Sequence, residues 1–503
     1  MLKTFSVWFI LYLSKRFNNL KGGRRNMSRK NKMRLGFSSL LVGGLLLAAC
    51  GNGGNGDTNG TDGTGDPAED GNGEEPSGDV VTLNYANWNL GTEGEIGIER
   101  LMIDAFNESQ DRIEVVIDES VTTDDWDGSL ATQASAGNLP DVFMMSNVPT
   151  AFANDWLMDI TEIAEADEEF GQIADATVEA ARIDGQVVSV PFAQHLSGYY
   201  VNRDILNDLN LDLAEYGISP EEFFDLIRSS TDIGQDLVGL ANAAQIVDWY
   251  PGSVSEDMGY FTYNFEDGTY SLDSDVMAEG VNTARDLGAN GYTYANLPEE
   301  DKERISGGDE GLAFRSGNIA FMFDGTWMNT ALTEEADFDW DFIGIPGGTS
   351  ILINDFLGIA QNTEHPEEAY EFAKFMSFGQ EGFTTRMNIV EENNFGFNTL
   401  PITTNQEVLD RYWSLVDVPG IQAAYEDIDQ AMVEPFKVVP GFANSRYEAT
   451  TGVSIGEEEN ANVSHIINES VAGNISYQDY ASQLQTLAQQ AHDEAVEAMG
   501  TAE

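Results

Sequence analysis

The chain has 503 residues, with 24 lysine and arginine side chains against 86 aspartate and glutamate side chains. Residues 1–49 contain ten of the basic side chains and none of the acidic ones, so the rest of the chain, with 14 basic and 86 acidic residues, carries a formal charge of −72. A charge of this size repels nucleic acid and anionic lipid surfaces, and neither is expected as a partner.

The first 49 residues have the three regions of a secretory signal. Basic residues within 29–34 precede an apolar run at 35–47, and two alanines follow. The apolar run is too short to span a bilayer. Residues 1–26 form a further apolar and basic stretch, so Met27 is the predicted start. The sequence therefore predicts export, with residues 1–49 as the signal peptide.

Cys50, the only cysteine of the chain, follows this signal directly. The string LLVGGLLLAAC that ends there resembles the lipobox of bacterial lipoproteins, which implies a diacylglyceryl group on the thiol and attachment to the extracellular face of the cell membrane. Two acyl chains suffice for stable anchoring. The alternatives are an ordinary signal peptide with an incidental cysteine, or an uncleaved anchor. Residues 50–79, beginning with the lipidated cysteine, are rich in glycine, asparagine and acid, which predicts a flexible linker.

The body of the protein from Val80 onward is longer than one hydrophobic core usually supports, so two lobes are predicted. Its opening alternates strand and helix signals. Strand patterns at residues 80–86 and 113–117 flank a run in which apolar residues keep helical spacing from Ile98 to Phe106. This order predicts an α/β fold with a parallel sheet.

Three later helices are marked by their first residues or by their spacing. Ser219 and Glu222 form a capping-box pattern around Pro220, and Pro366 stands at the first position of another helix. Apolar residues keep helical spacing over 480–495. These signals extend the α/β pattern to the C-terminal end.

Four stretches of the body share motifs with one protein family. They are AGNLPDVFMMS (136–146), GQVVSVPFAQHLSGYYVNRDIL (185–206), GLAFRSGNIAFMFDGTW (311–327) and LGIAQNTEHPEEAYEFAKFMS (357–377). In this order they resemble the extracellular solute-binding proteins of ABC importers, in the branch that includes the maltose-binding protein. The resemblance covers nearly everything after the linker.

The resemblance implies a two-lobed α/β fold, like that of periplasmic binding proteins, whose lobes close on a solute in a hinged cleft. The predicted lobes are discontinuous: lobe 1 at 80–190 plus 320–378, and lobe 2 at 191–319 plus 379–503. The chain is expected to cross between them near Val188–Ala193, near Ile319–Asp324 and near Phe378.

The function that the resemblance implies is capture of a carbohydrate, with an oligosaccharide preferred, and its delivery to the membrane subunits of an ABC permease. A monomer is expected. No catalytic residue, cofactor or metal is expected to take part.

A carbohydrate site stacks aromatic rings against the C–H faces of the sugar and surrounds its hydroxyl rim with polar side chains. In α/β sheets such ligands bind at the C-terminal ends of strands. Asn87 and Trp88 follow the first strand and Asn147 follows the PDVFMM strand, so these three are predicted ligand contacts. Trp126 and Trp413 are expected to be structural.

Alignment with the family implies nine further ligand contacts: His195, Asp248, Trp249, Asp324, Trp327, Asn354, Asp355, Arg446 and Tyr447. Trp327 is the preferred stacking platform, with support of the cleft wall as its alternative. Core packing is the alternative for Trp249, and a helix cap or a solvated position is the alternative for His195. Asn354 and Asp355 stand in a predicted loop where the family often has glycines.

The sequence is also compatible with two other functions. The many carboxylates would provide the acid pair of a glycoside hydrolase, although no HExxH or phosphate-loop motif is present. The acidity would also favour a binder of polyamines or other cations. No EF-hand spacing supports a calcium-storing surface, and a surface adapted to salt or high external pH is the preferred interpretation of the charge.

Overall fold

The computed structural model describes residues 80–91, 96–456 and 458–500. The predicted signal peptide, the predicted lipidation site Cys50 and the linker lie outside the described residues. Residues 80–503 form one compact unit. In the part of the chain that is described, no helix is both long enough and apolar enough to cross a membrane.

Eleven strands are present among the described residues. They are β1 (Val81–Ala86), β2 (Ile113–Ile117), β3 (Val142–Met145), β4 (Arg182–Ile183), β5 (Gln186–Val187), β6 (Val190–Asn202), β7 (Val238–Leu240), β8 (Ile319–Gly325), β9 (Trp340–Gly344), β10 (Ile351–Ile359) and β11 (Met432–Val433).

Eighteen α-helices accompany them in the same part of the chain. They are α1 (Ile98–Ser109), α2 (Trp126–Ala136), α3 (Val148–Ala153), α4 (Thr161–Ala166), α5 (Asp175–Ala180), α6 (Arg203–Asp208), α7 (Pro220–Ser229), α8 (Ile246–Val254), α9 (Asp275–Ala289), α10 (Glu299–Ser306), α11 (Glu310–Arg315), α12 (Asn329–Glu335), α13 (Pro366–Met376), α14 (Gln380–Asn393), α15 (Gln406–Leu415), α16 (Pro419–Glu426), α17 (Val463–Val471) and α18 (Ala481–Gly500).

The local sequence signals produce the elements that they predict. The opening is β1, α1 and β2, with β1 and β2 paired in parallel. At the start of α7 the Ser219 hydroxyl accepts from the Glu222 amide at 3.2 Å, and the Glu222 carboxylate accepts from the Ser219 amide at 3.2 Å. This capping box satisfies two amide groups that the first turn of a helix leaves unpaired.

One large sheet runs through the body in the order β2-β1-β3-β10-β6-β8-β7, with β9 on β6 and β11 on β10. The prediction of a parallel sheet is correct for β1, β2 and β3. It is wrong for the centre of the sheet, because β10 pairs antiparallel with both β3 and β6, and β6 pairs antiparallel with β8. The centre therefore joins the two halves of the molecule with antiparallel strands.

Buried apolar side chains form three clusters, which divide into two lobes. Cluster 1 draws mainly on residues 83–193 and 356–378 and is the core of lobe 1. Clusters 2 and 3 draw mainly on residues 196–352 and 383–488 and form the core of lobe 2. The predicted two-lobed α/β fold is confirmed.

Two long strands connect the lobes. The first half of β6 packs in cluster 1 through Val190 and Phe192, and its second half packs in cluster 2 through Tyr199 and Val201. In β10 the order is reversed, from Ile351 in cluster 2 to Ile359 in cluster 1.

The expected crossing at Ile319–Asp324 lies elsewhere in the structure. The buried apolar residues of β8 pack in clusters 2 and 3, so β8 stays in lobe 2, as do the following residues up to about 353. The physical reason is that β8 pairs with the lobe 2 half of β6. The return to lobe 1 is made by β10, about thirty residues later than the sequence predicts.

Candidate ligand-binding cleft

Five neighbouring strands of the sheet bring predicted site residues to one level of the molecule. In sheet order, β1 leads to Asn87 and Trp88, β3 leads to Asn147, β10 carries Asn354 and Asp355, β6 carries His195, and β8 precedes Trp327. The pairing registers connect this level from β3 to β8, with Met145 beside Phe356 and Ser197 beside Gly325. Residues far apart in the sequence therefore form a row that runs across both lobes. Its members are Asn87, Trp88, Asn147, Asp355, His195 and Trp327.

Trp327 is fixed in place although its side chain is 41% exposed. Its indole N–H donates to Asp324 Oδ1 at 2.7 Å, and the same oxygen accepts from the Gly325 amide at 2.9 Å. A Cβ atom at Gly325 would collide with the Trp327 ring, so the absence of a side chain there makes room for the indole. The result is a partly exposed aromatic platform with a set orientation.

His195 lies beside this platform. Its ring centroid is 5.2 Å from that of Trp327 with an interplanar angle of 74°, and its Nδ1 is 3.3 Å from Thr326 Oγ1. Burial lowers the pKa of His195 to about 4, against the opposing effect of the Asp355 charge and together with that of Lys437. The imidazole is therefore neutral at neutral pH and can both donate and accept hydrogen bonds.

Asp355 faces the same side of the sheet as His195. The register pairs Asp355 with Ala193, which is two residues before His195 on β6. Its carboxylate forms an ion pair with Lys437, and the two side chains are 15% and 16% exposed. The expectation that this residue stands in a loop is wrong, because it belongs to β10.

Asn354 points to the opposite side. It pairs with Gln194, whose side chain bonds to Thr177 Oγ1 and to the Pro401 carbonyl. Residues paired across two strands share a face, so the Asn354 amide lies behind the row rather than in it. It is 5% exposed, and neither of its polar atoms has a hydrogen-bond partner among the described residues.

Arg446 and Asp248 form a second ion pair in lobe 2. Arg446 Nη1 lies 2.7 Å from Asp248 Oδ1, with the two side chains 11% and 12% exposed. Arg446 Nε has no hydrogen-bond partner in the described part of the chain. The Asp248 charge nevertheless contributes to raising the pKa of Arg446 above its ordinary value, although burial acts in the opposite direction. The guanidinium is thus charged and largely enclosed.

Phe436 connects this pair to lobe 1. Its ring stacks on Tyr447 with centroids 5.8 Å apart, and its carbonyl accepts from Asn147 Nδ2 at 2.8 Å. Asn147 also caps α3 by accepting from the Thr150 amide at 2.8 Å. The predicted residues Asn147 and Tyr447 therefore meet the same short segment from opposite lobes.

On the lobe 1 side, the two residues after β1 have different surroundings. Asn87 is 4% exposed. Its side-chain Nδ2 donates to the Tyr85 hydroxyl at 2.7 Å, and its Oδ1 accepts from the backbone amide of Asn89 at 2.7 Å. Trp88 is partly buried and meets Trp126 edge to face at 5.4 Å. Trp126 donates to the Met144 carbonyl at 2.9 Å, which supports its predicted structural role.

Trp249 lies in the core rather than at the cleft surface. It is 0% exposed, donates to the Tyr199 hydroxyl at 3.0 Å and stacks on Phe224. Asp248 and Trp249 are neighbours on α8 and lie on different sides of it. Asp248 contacts Arg446, whereas Trp249 packs in cluster 2. The structure therefore agrees with the core-packing alternative for Trp249.

Sequence reasoning missed the segment that follows β11. Glu434, Phe436 and Lys437 all stand next to predicted site residues, yet the segment has no motif that marks it. One available signal was composition, because only 14 basic residues follow residue 49. In a chain with 86 acids, a lysine within an apolar segment such as EPFKVV indicates a specific carboxylate partner.

Glu434 provides a pH-dependent prediction. Burial raises its pKa to about 7, against the Lys437 and Arg446 charges and with a smaller contribution from Asp355. Since the folded state then binds more protons than the unfolded state between about pH 4.5 and 7, this carboxyl reduces stability as pH rises through that range. We expect the melting temperature of Glu434→Gln to rise relative to that of the wild type from pH 5 to pH 8. A constant difference across that range would contradict the assignment.

A sequence profile described as bacterial extracellular solute-binding protein matches residues 101–391, which is more than half of the chain. A comparison with curated protein sequences finds no match.

Solved structures share the fold. A substrate-binding protein from Listeria monocytogenes in complex with cycloalternan has a TM-score of 0.59 at 18% identity, covering 84% of this chain and 100% of that one. A cyclic α-maltosyl-1,6-maltose binding protein from Arthrobacter globiformis has a TM-score of 0.58 at 18% identity, with 83% and 100% covered. A sugar transporter protein from Rhizobium etli in an open conformation has a TM-score of 0.60 at 18% identity, with 82% and 99% covered.

Proposed function

The chain belongs to the bacterial extracellular solute-binding proteins. We propose that it captures a neutral carbohydrate in the cleft between its lobes. The preferred ligand is an oligosaccharide, which the protein delivers to the membrane subunits of an ABC permease. In this proposal the protein acts as a monomer and has no catalytic role.

The observation that carries the proposal is the row of side chains on β1, β3, β10, β6 and β8. It combines the partly exposed Trp327 with polar groups of both charge types and a neutral His195. An indole offers a face to the C–H groups of a sugar, and the polar groups offer donors and acceptors to its hydroxyls. The row crosses from lobe 1 to lobe 2, so closure of the lobes would enclose a ligand on both sides.

The charge balance of the row favours a neutral solute over a cation. Among the described residues, 13 of the 14 basic side chains after residue 49 lie within ion-pair distance of a carboxylate, and two of these, Lys437 and Arg446, lie beside the row. There they neutralise Asp355 and Asp248. A polyamine site would leave its carboxylates free for the ligand, whereas these two are already paired.

The test is a screen of the compact unit of residues 80–503 by thermal shift and calorimetry. The panel contains linear malto-oligosaccharides, cyclic α-glucans, monosaccharides, polyamines and amino acids, and every mixture is checked for cleaved product. A rise in melting temperature with an intact oligosaccharide would support the proposal. Stabilisation by polyamines alone, or cleavage of the sugar, would reject it in favour of a cation binder or a hydrolase.

We further propose that the mature protein is a lipoprotein anchored through Cys50 to the extracellular face of the cell membrane. The support is the lipobox-like string and the acidic linker that follows it. We expect Cys50→Ser to abolish labelling by a radioactive or alkyne-bearing fatty acid and to shift the protein out of the membrane fraction. Unchanged labelling and membrane attachment in the variant would exclude this site.

A further inference from the structure

A strained turn lies directly beneath Arg446. Phe261 has φ 55° and ψ 37°, and the next residue, Thr262, has φ 63°. Both lie in the left-handed region, where bulky and β-branched side chains are rare because the Cβ atom crowds the backbone. Both side chains are also fully buried, at 0% exposure. Such strain persists only where the surroundings enforce it, and it concentrates at functional sites.

The surroundings do enforce this turn. The Gly259 amide donates to the Tyr263 carbonyl at 3.0 Å across the turn, and the Ser271 amide donates to Thr262 Oγ1 at 3.0 Å. A Cβ atom at Gly259 would stand 2.6 Å from the Tyr263 oxygen, so glycine is required for this close approach. The Tyr263 hydroxyl lies 3.0 Å from His492 Nε2 on α18, which ties the turn to the C-terminal helix.

The turn presents the face of the Phe261 ring to the guanidinium. Arg446 Cζ lies 4.4 Å from the Phe261 centroid, closer than to the rings of Tyr447 at 5.6 Å and Phe436 at 5.9 Å. At 4.4 Å the guanidinium lies within the range of a cation–π interaction, which is stronger when the pair is shielded from water.

The contact with Asp248 does not by itself fix the plane of this guanidinium. Arg446 Nη1 meets Asp248 Oδ1 at 2.7 Å, and Nε has no hydrogen-bond partner among the described residues. An ion pair fixes the distance between charges but not the tilt of the guanidinium plane. The ring beneath it can fix that plane.

We propose that Phe261 is a positioning residue, held by the strained turn, that sets the plane of the Arg446 guanidinium in the cleft. This inference rests on the proposed function in one respect, that Arg446 contacts the ligand. The strain is then a property of the binding site, since the left-handed backbone directs the ring towards the cation.

The first experiment compares Phe261→Leu with Phe442→Leu in the 80–503 unit. Phe442 is a suitable control because it is 1% exposed and lies in the same cluster, 6.0 Å from Phe261, but is not among the rings over which Arg446 lies in the described structure. We expect similar losses of melting temperature. Affinity for the best oligosaccharide of the panel should fall about fivefold or more only in Phe261→Leu. Equal changes in affinity would overturn the proposal.

The second experiment needs no ligand. Protons above an aromatic face are shielded, so the Arg446 Nε–H signal in a ¹H–¹⁵N spectrum should lie upfield, and its loss in Arg446→Lys assigns it. We expect Phe261→Leu to move this signal downfield and Phe442→Leu to leave it in place. Where the leucine variant does not fold, Phe261→Met fills a similar volume without a ring face.

The two readouts separate the two claims. If the shielded signal depends on Phe261 but no carbohydrate binds, the positioning role stands and the proposed function fails. If carbohydrate binds but the signal is the same in Phe261→Leu, the proposed function stands and the positioning role is overturned.

Discussion

Replacing Trp327 by alanine is expected to weaken carbohydrate binding at least tenfold, which corresponds to about 1.4 kcal/mol, while the protein remains folded. The side chain is 41% exposed, so its removal leaves no cavity in the core. What it removes is the indole held by Asp324 and seated against Gly325. Calorimetric titration with the oligosaccharide found in the screen measures the effect.

Two further variants make this prediction specific. Leu312→Ala is the control, because Leu312 is 42% exposed but belongs to α11, outside the row, and we expect it to leave affinity unchanged. Gly325→Ala should reduce affinity as well, because the added methyl group displaces the indole without removing it. Wild-type affinity in both Trp327→Ala and Gly325→Ala would remove this tryptophan from the site.

Replacing Arg386 by methionine is expected to destabilise the protein by about 3–5 kcal/mol. Arg386 on α14 and Glu99 on α1 form an ion pair at 2.7 Å with side chains only 1% and 2% exposed. Arg386 also donates to the Met376 carbonyl at 2.8 Å, and Asn398 donates to Glu99 at 2.7 Å. Removing the cation leaves the Glu99 carboxylate buried without its counter-charge. Urea denaturation measures the free energy of unfolding.

The matched control is Arg112→Met. Arg112 also pairs with a glutamate at 2.7 Å, but there the two side chains are 58% and 45% exposed, so we expect a loss of about 0–1 kcal/mol. The double variant Glu99→Leu with Arg386→Met should recover most of the stability, because it removes both charges from the core. Equal losses for the Arg386 and Arg112 variants would show that burial does not set the strength of these pairs.

This very acidic chain uses its few cations in two different settings. Arg386 lies in a buried network between helices, whereas Lys437 and Arg446 lie beside the row. If the proposed function is correct, the pairing of Lys437 with Asp355 and of Arg446 with Asp248 suits the cleft to a neutral ligand.

Sequence alone was enough to predict the elements whose signals are local. The βαβ opening, the capping box of α7 and the helix at Pro366 depend on side chains within a few residues of one another, and the structure has all three. Motif order also sufficed to predict the two-lobed fold, because each motif encodes a local strand end or turn.

Features that depend on partners distant in the sequence follow from the three-dimensional packing. The crossing lies at β10 because β8 pairs with the lobe 2 half of β6, a choice made between strands more than a hundred residues apart. The opposite faces of Asn354 and Asp355 follow from the register with β6. The roles of Lys437 and Phe261 follow from packing against Asp355 and Arg446. Periodicity and spacing record which residues are apolar or polar along the chain, but a charge pair or a ring beneath a cation forms only when the fold brings the two together.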